Sequence, residues 1–277
     1  MLLANKLKLP PLEENLLPRD SLGKRFAKFR EYKITTLTAP AGYGKSVFVA
    51  QQLEQLALPI AWVTLDKEDN HSRLFWTYVT ASLQSIDERI TRRTQTLLNA
   101  AQETEISNVV TVLLDELKHY QRNWTCPESI TLVFDDFQRI IDHLLLEQIN
   151  LFLDHLPRYL HCVILSRTQP SVHLGRRLSK NQLLHFTQQD FQLSLEETQQ
   201  LLSRTNNRIF SAKEIKQLHE KSEGWLGALQ LLSFILEQNQ TRVETLLLTP
   251  GSDLILSDYL ASEVIKQTQP EFLGQLF

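Results

Sequence analysis

The sequence predicts an α/β fold, a mostly parallel sheet covered by helices on both faces, followed by an all-helical subdomain. Three observations point to it. Short strand-like runs alternate with helical patterns up to about residue 190. Two of those runs, 130–134 and 162–165, are nearly all apolar, as strands buried on both faces are. Beyond residue 190 the alternation stops and only helical signals remain.

The elements follow in order. Residues 1–20 are dotted with Pro10, Pro11 and Pro18 and read as an extended lead-in. A basic amphipathic stretch, 21–32, carries Lys24, Arg25, Lys28 and Arg30 around Phe26 and Phe29; this spacing fits a solvated face with an apolar underside better than a nucleic-acid surface. Residues 33–39 form a first strand, 46–57 a helix, 59–65 a second strand and 74–86 a second helix. Val110, Leu113, Leu114 and Leu117 mark a helix over 107–120. The strand 130–134 comes next, then a helix carrying Leu145, Ile149, Phe152 and Leu156, then the strand 162–165. In the C-terminal region Ser194-x-x-Glu197 and Ser211-x-x-Glu214 are capping-box patterns. A third helix starts at Gly224 and carries Trp225, Leu229, Leu232 and Leu236 on one face. The last residues, PEFLGQLF, read as a helix that continues past Phe277, and several hundred further residues are expected.

Composition narrows the function classes. The net charge of −3 argues against a nucleic-acid surface spread over the chain. No apolar run is long enough to span a bilayer, and no secretory leader is legible, so no membrane partner is expected. Cys126 and Cys162 cannot build a disulfide scaffold and suit a reducing cytoplasm. There are 8 glycines in 277 residues, roughly 3% where about 7% is usual. Paired glycines therefore mark backbone conformations that a Cβ would forbid.

One such pair lies in Ala39-Pro40-Ala41-Gly42-Tyr43-Gly44-Lys45-Ser46, between the first strand and its helix. It fits G-x-x-x-x-G-K-[ST] except for Ala39 in place of the first glycine. Gly42 and Gly44 allow successive backbone N–H groups to form an anion nest, and the helix N-terminus at Ser46 and Val47 adds positive partial charge. Lys45 can reach the β- and γ-phosphates, and the Ser46 hydroxyl can ligate Mg²⁺. The predicted fold is therefore a P-loop NTPase, with ATP or ADP and Mg²⁺ as cofactors. The third strand ends in Asp135 and Asp136. Asp135 is assigned to the metal and Asp136 to orienting the attacking water. The fourth strand ends in Ser166 and Arg167; placed beside the first, it would bring the Arg167 guanidinium to the γ-phosphate. The catalytic candidates are Lys45, Asp136 and Arg167.

The strings APAGYGKS, AWVTLDKEDN, LVFDDFQRI, VILSRTQP, EGWLGALQL and SDYLASEVI, in this order and spacing, resemble the MalT-like family. These are large ATP-binding LuxR-type transcriptional activators of the STAND group of P-loop ATPases. The resemblance implies an ATP/ADP switch and oligomerisation module that hydrolyses ATP slowly and self-associates when ATP-bound. It also implies a division into 1–20 lead-in, 21–190 nucleotide-binding domain, 191–250 helical domain and 251–277 the start of a winged-helix domain. DNA and inducer would be bound only by C-terminal domains absent from this chain. Pro18 and Arg19 would line the adenine pocket, or else belong to a solvated linker. Gln138 and Arg139 stand where relatives carry a His after the paired aspartates, so no role of that His transfers.

Two alternatives stay open: a constitutive P-loop ATPase or kinase with real turnover, and a scaffold module without hydrolysis. Two smaller features also read in two ways. In 65–70 (LDKEDN), Asp66 could serve a sensor loop at the sheet edge, or Asp69 or Asn70 could simply cap the helix carrying Leu74, Phe75 and Trp76. Gly224-Trp225-Leu226-Gly227 could allow close packing against the nucleotide domain, or could only start a helix with a core tryptophan.

Overall fold

The computed structural model describes residues 2–12, 16–100, 108–123, 129–205, 209–239 and 243. The expected winged-helix start at 251–277 and Cys126 lie outside the described residues. The chain divides into two units. The first comprises Met1–Glu14, Arg19–Pro40 and Lys45–Asp190, and the second Asn15–Pro18, Ala41–Gly44 and Phe191–Phe277.

The first unit is built on five parallel strands: β1 (Ile34–Thr38), β2 (Ile60–Thr64), β3 (Ile130–Asp135), β4 (Leu160–Ser166) and β5 (Leu183–Phe186). Their order across the sheet is β2-β3-β4-β1-β5. Every position of β3 and β4 is buried, which explains runs without polar alternation. β4 stands beside β1, with Thr38 in register with Ser166. The C-terminal ends of β1, β3 and β4 therefore share one sheet edge, where ligands bind in open α/β sheets.

Helices follow the strands as the pattern predicts. Lys45–Gln55 buries Phe48, Val49 and Leu53, and Ser72–Gln84 buries Phe75, Trp76, Val79 and Leu83. Val109–Asn123 and His143–Asp154 add their apolar stripes to the same core. In the basic stretch Phe26 and Phe29 are buried while Lys24, Lys28 and Arg30 are exposed, so its apolar-underside reading holds.

Several elements were not anticipated, and three of them are informative. β5 has four residues, one of them a histidine, and sits beside β1, where His185 Nδ1 meets Thr36 Oγ1 at 2.7 Å. The helix Arg92–Ala100 buries only Thr94 and Leu98. Its N-terminal N–H groups, on Arg93 and Thr94, donate to the Glu116 carboxylate at 2.6 and 2.7 Å, so the cap comes from a distant helix. Within the lead-in read as extended, Ala4–Leu7 form a turn of 3₁₀ helix. Its Lys6 is buried, with Nζ against Asp69 Oδ2 at 2.5 Å and Asp66 Oδ2 at 2.9 Å, over the Tyr78 ring.

The loop after β2 also differs from expectation. Neither Asp69 nor Asn70 caps the helix Ser72–Gln84, whose N-cap is His71, without a side-chain bond. Asp66 caps the turn Lys67–Asn70, and Asp69 closes the reciprocal bond. Asn70 Oδ1 accepts from the N–H groups of Ile141 and Asp142, and its Nδ2 donates to the Arg139 carbonyl.

In the second unit the helices Leu195–Thr205, Ala212–Ser222 and Leu226–Asn239 pack around Leu201, Leu202, Leu218, Leu229, Leu232 and Leu236. Both capping boxes form: Glu197 N–H donates to Ser194 Oγ, Glu214 N–H to Ser211 Oγ, and each glutamate accepts in return.

Candidate functional site

The strand ends of the first unit bring five of the expected residues together. Lys45 opens the helix that follows the phosphate loop, with Ser46 next to it. The Ser46 hydroxyl donates to Asp135 Oδ1 at 2.9 Å, joining the loop to the end of β3. Burial, reinforced by the neighbouring Asp136 charge, pushes the Asp135 carboxyl up to about 6. Burial likewise lowers the Lys45 ammonium to about 8, against the pull of Asp135. Lys45 Nζ donates to the carbonyls of Ala39 (2.6 Å) and Pro40 (3.0 Å).

Asp136 adopts a left-handed conformation, φ 56°, uncommon for a residue with a side chain. Its carboxylate is held from two sides: Gln138 Nε2 donates to Oδ1 at 2.8 Å, and Arg167 Nε lies 3.3 Å from the same oxygen. Gln138 Oε1 accepts from the Arg167 backbone N–H at 2.9 Å, which ties the end of β3 to the end of β4. Gln138 is a residue of this candidate site that the sequence reading treated only as a departure. The available signal was an amide two residues beyond the paired aspartates.

Three buried polar atoms on residues at this edge have no hydrogen-bond partner among the described residues: Thr38 Oγ1, Ser166 Oγ and Arg167 Nη1. Buried polar groups are rarely left so, and these would be met by a polar ligand. Among the described residues no group of three or more His, Cys, Asp or Glu side chains could chelate a metal alone. A hydroxyl–carboxylate pair such as Ser46 and Asp135 instead suits Mg²⁺ shared with phosphate oxygens. The residues present thus fit a magnesium nucleotide.

The loop tip, Ala41–Gly44, belongs to the second unit. Gly42 and Gly44 both have positive φ, 74° and 76°, the conformations for which the sequence spends its scarce glycine. Within that unit Trp225 Nε1 donates to the Ala41 carbonyl at 3.1 Å, Gly227 N–H to the Gly42 carbonyl at 2.9 Å, and Tyr43 stacks on Trp225. Pro18 is half-buried in the same unit; Arg19, in the first, donates from Nη2 to the Asp190 carbonyl at 3.4 Å. Val47 is half-buried behind Ser46.

Comparison with known proteins gives two kinds of likeness. The HTH-type transcriptional regulator MalT of Yersinia pestis (strain Pestoides F) is 31% identical over 269 residues, 96% of this chain and 29% of the regulator. MalT of Serratia proteamaculans is 29% identical over 273 residues, 98% of this chain and 29% of that protein. The chain therefore spans less than a third of the length of these relatives. No family model matches. Among solved structures, the Walker-type ATPase of Pyrococcus abyssi aligns with a TM-score of 0.53 at 15% identity, covering 94% of this chain and 79% of that one. Drosophila ORC bound to DNA aligns at a TM-score of 0.51 and 12% identity, covering 86% and 60%. At such identities these two share the fold alone.

Proposed function

We propose, on the premise that this chain is a MalT homologue built on a P-loop ATPase fold, that it is the nucleotide switch of a transcriptional regulator. The observation that carries the reading is the Ser46–Asp135 hydrogen bond beside a buried Lys45, at the sheet edge where Arg167 Nη1 has no partner among the described residues. On this reading the loop Ala39–Val47 cradles the phosphates of ATP or ADP, and Ser46 and Asp135 hold Mg²⁺. Bound there, the metal would neutralise charge on the β- and γ-phosphates. Asp136 orients the attacking water, and Arg167 meets charge on the γ-phosphate. Pro18 and Arg19 belong to the adenine side.

The present bonding of the residues supports slow hydrolysis on this reading. Lys45 is bound to the loop carbonyls, and the Asp136 carboxylate is engaged by Gln138 and Arg167. Those bonds must be exchanged before either group can act on a phosphate or a water. Self-association in the ATP state is part of this reading, as is the binding of DNA and inducer by parts of the protein outside these residues. The helical domain 191–250 and the winged-helix start at 251–277 complete the proposed layout.

The test is calorimetric titration with Mg-ADP and Mg-ATP, paired with steady-state phosphate release. The unaltered protein should bind both nucleotides, and Lys45→Ala should lose a charge-assisted contact and weaken binding by about tenfold or more. Equal affinity in Lys45→Ala would refute the cradle. Sustained release at about 1 per second or faster would make the chain a turnover enzyme and not a switch.

A further inference from the structure

We infer that Trp225 and Gly227 are positioning residues for the phosphate loop: they set the orientation of its peptide planes and so its grip on a nucleoside diphosphate or triphosphate. This rests on the nucleotide reading above and names the groups that hold its cradle in shape. A trans peptide is planar, with C=O and N–H pointing in opposite directions, and the described chain has no cis peptide. The Ala41 carbonyl accepts from Trp225 Nε1, so the Gly42 N–H is directed away from Trp225. The Gly42 carbonyl accepts from the Gly227 N–H, so the Tyr43 N–H is directed away from Gly227. Two consecutive amide donors are thereby presented on the side opposite the helix Leu226–Asn239, the arrangement an anion nest requires.

The fit leaves little room for a side chain at either glycine. A Cβ on Gly42 would lie 2.9 Å from Trp225 Nε1, and one on Gly227 would lie 3.2 Å from both Cα and O of Gly42. The Tyr43 ring, stacked on Trp225 with centroids 6.2 Å apart, fixes the same loop from the side-chain direction. Gly227 is glycine because the loop backbone passes against it, and residue 225 is tryptophan because an aromatic body with one N–H is needed there. Phenylalanine keeps an aromatic ring beside Tyr43 and removes the Nε1–H donor.

The experiment uses the full-length protein, with Mg-ADP and AMP as probes in calorimetric or competition titrations. Trp225→Phe should weaken ADP about five- to tenfold, the effect of one hydrogen bond, and leave AMP, which has no β-phosphate, within about twofold. Gly227→Ala should weaken ADP in the same direction. The indole Nε1–H resonance missing from Trp225→Phe should shift when the unaltered protein takes up ADP. Unchanged ADP affinity in Trp225→Phe would overturn the positioning role, as would equal losses for AMP and ADP. An indole resonance that stays fixed at saturating ADP would overturn it as well, whether or not the variants fold. If the unaltered protein binds no ADP, the nucleotide reading itself fails and this inference with it.

Discussion

Replacing Lys6 with methionine should destabilise the first unit far more than an ordinary change in a lead-in segment. Methionine keeps most of the apolar stem and removes the ammonium. What it leaves is Asp69, with a fully buried side chain whose Oδ1 has no hydrogen-bond partner among the described residues and whose Oδ2 would retain the Asp66 N–H. Removing one partner of a buried ion pair costs about 3–5 kcal/mol, a large share of the about 5–15 kcal/mol that holds a typical domain. Asp69→Asn in the same chain removes the stranded charge, so the double variant should recover much of the loss, with a coupling of about 2 kcal/mol. Burial already raises the Asp69 carboxyl despite Lys6, and the loss of Lys6 raises it further. A folded acid with a raised pKa binds more protons than the unfolded chain, so its stability falls as the pH rises through the folded value. The Lys6→Met deficit should therefore be larger at pH 7 than at pH 5. Urea unfolding would be followed by the fluorescence of the three remaining tryptophans, Trp62, Trp76 and Trp124, in a Trp225→Phe background so that the signal reports the first unit. A loss below about 1 kcal/mol, or strict additivity with Asp69→Asn, would refute the reasoning.

Two other perturbations test the sheet and its edge. His161 and His185 are both lowered by burial from the usual 6.5, so the unfolded chain binds protons first and stability should fall as the pH drops through that value. A His161→Gln, His185→Gln double variant should show a flatter urea midpoint between pH 7.5 and 5.5, and an unchanged slope would contradict the assignment. Gln138→Leu removes one bond to a carboxylate and one to a backbone N–H, which should cost about 2 kcal/mol in the same unfolding measurement. A neutral result there would mean that Gln138 does not hold Asp136 in place.

The legible parts of the molecule were those set by local pattern. β3 and β4 announced themselves because strands buried on both faces have no polar alternation, β1 and β2 through their strand-forming residues, and the phosphate loop because it gathers glycines in a chain that has few. β5 was hidden because Leu183–Phe186 is short and interrupted by His185, whose partner Thr36 is far away in sequence. The helix Arg92–Ala100 has a weak apolar face and borrows its cap from Glu116, a relation no window around residue 92 contains. Lys6 looked like one more charge in an extended lead-in, since its burial depends on Asp66 and Asp69 some sixty residues on. At the site, residue types and spacing located Lys45, Ser46, Asp135, Asp136 and Arg167. The clasp that Gln138 makes across two strand ends depends on which strands are neighbours, and so belongs to the fold rather than to the motif.

The most direct measurement is to denature freshly purified protein and identify by chromatography any nucleotide it releases. The switch reading predicts stoichiometric ADP from the unaltered chain and none from Lys45→Ala. Protein that releases no nucleotide, and takes up neither Mg-ADP nor Mg-ATP when offered them, would contradict it.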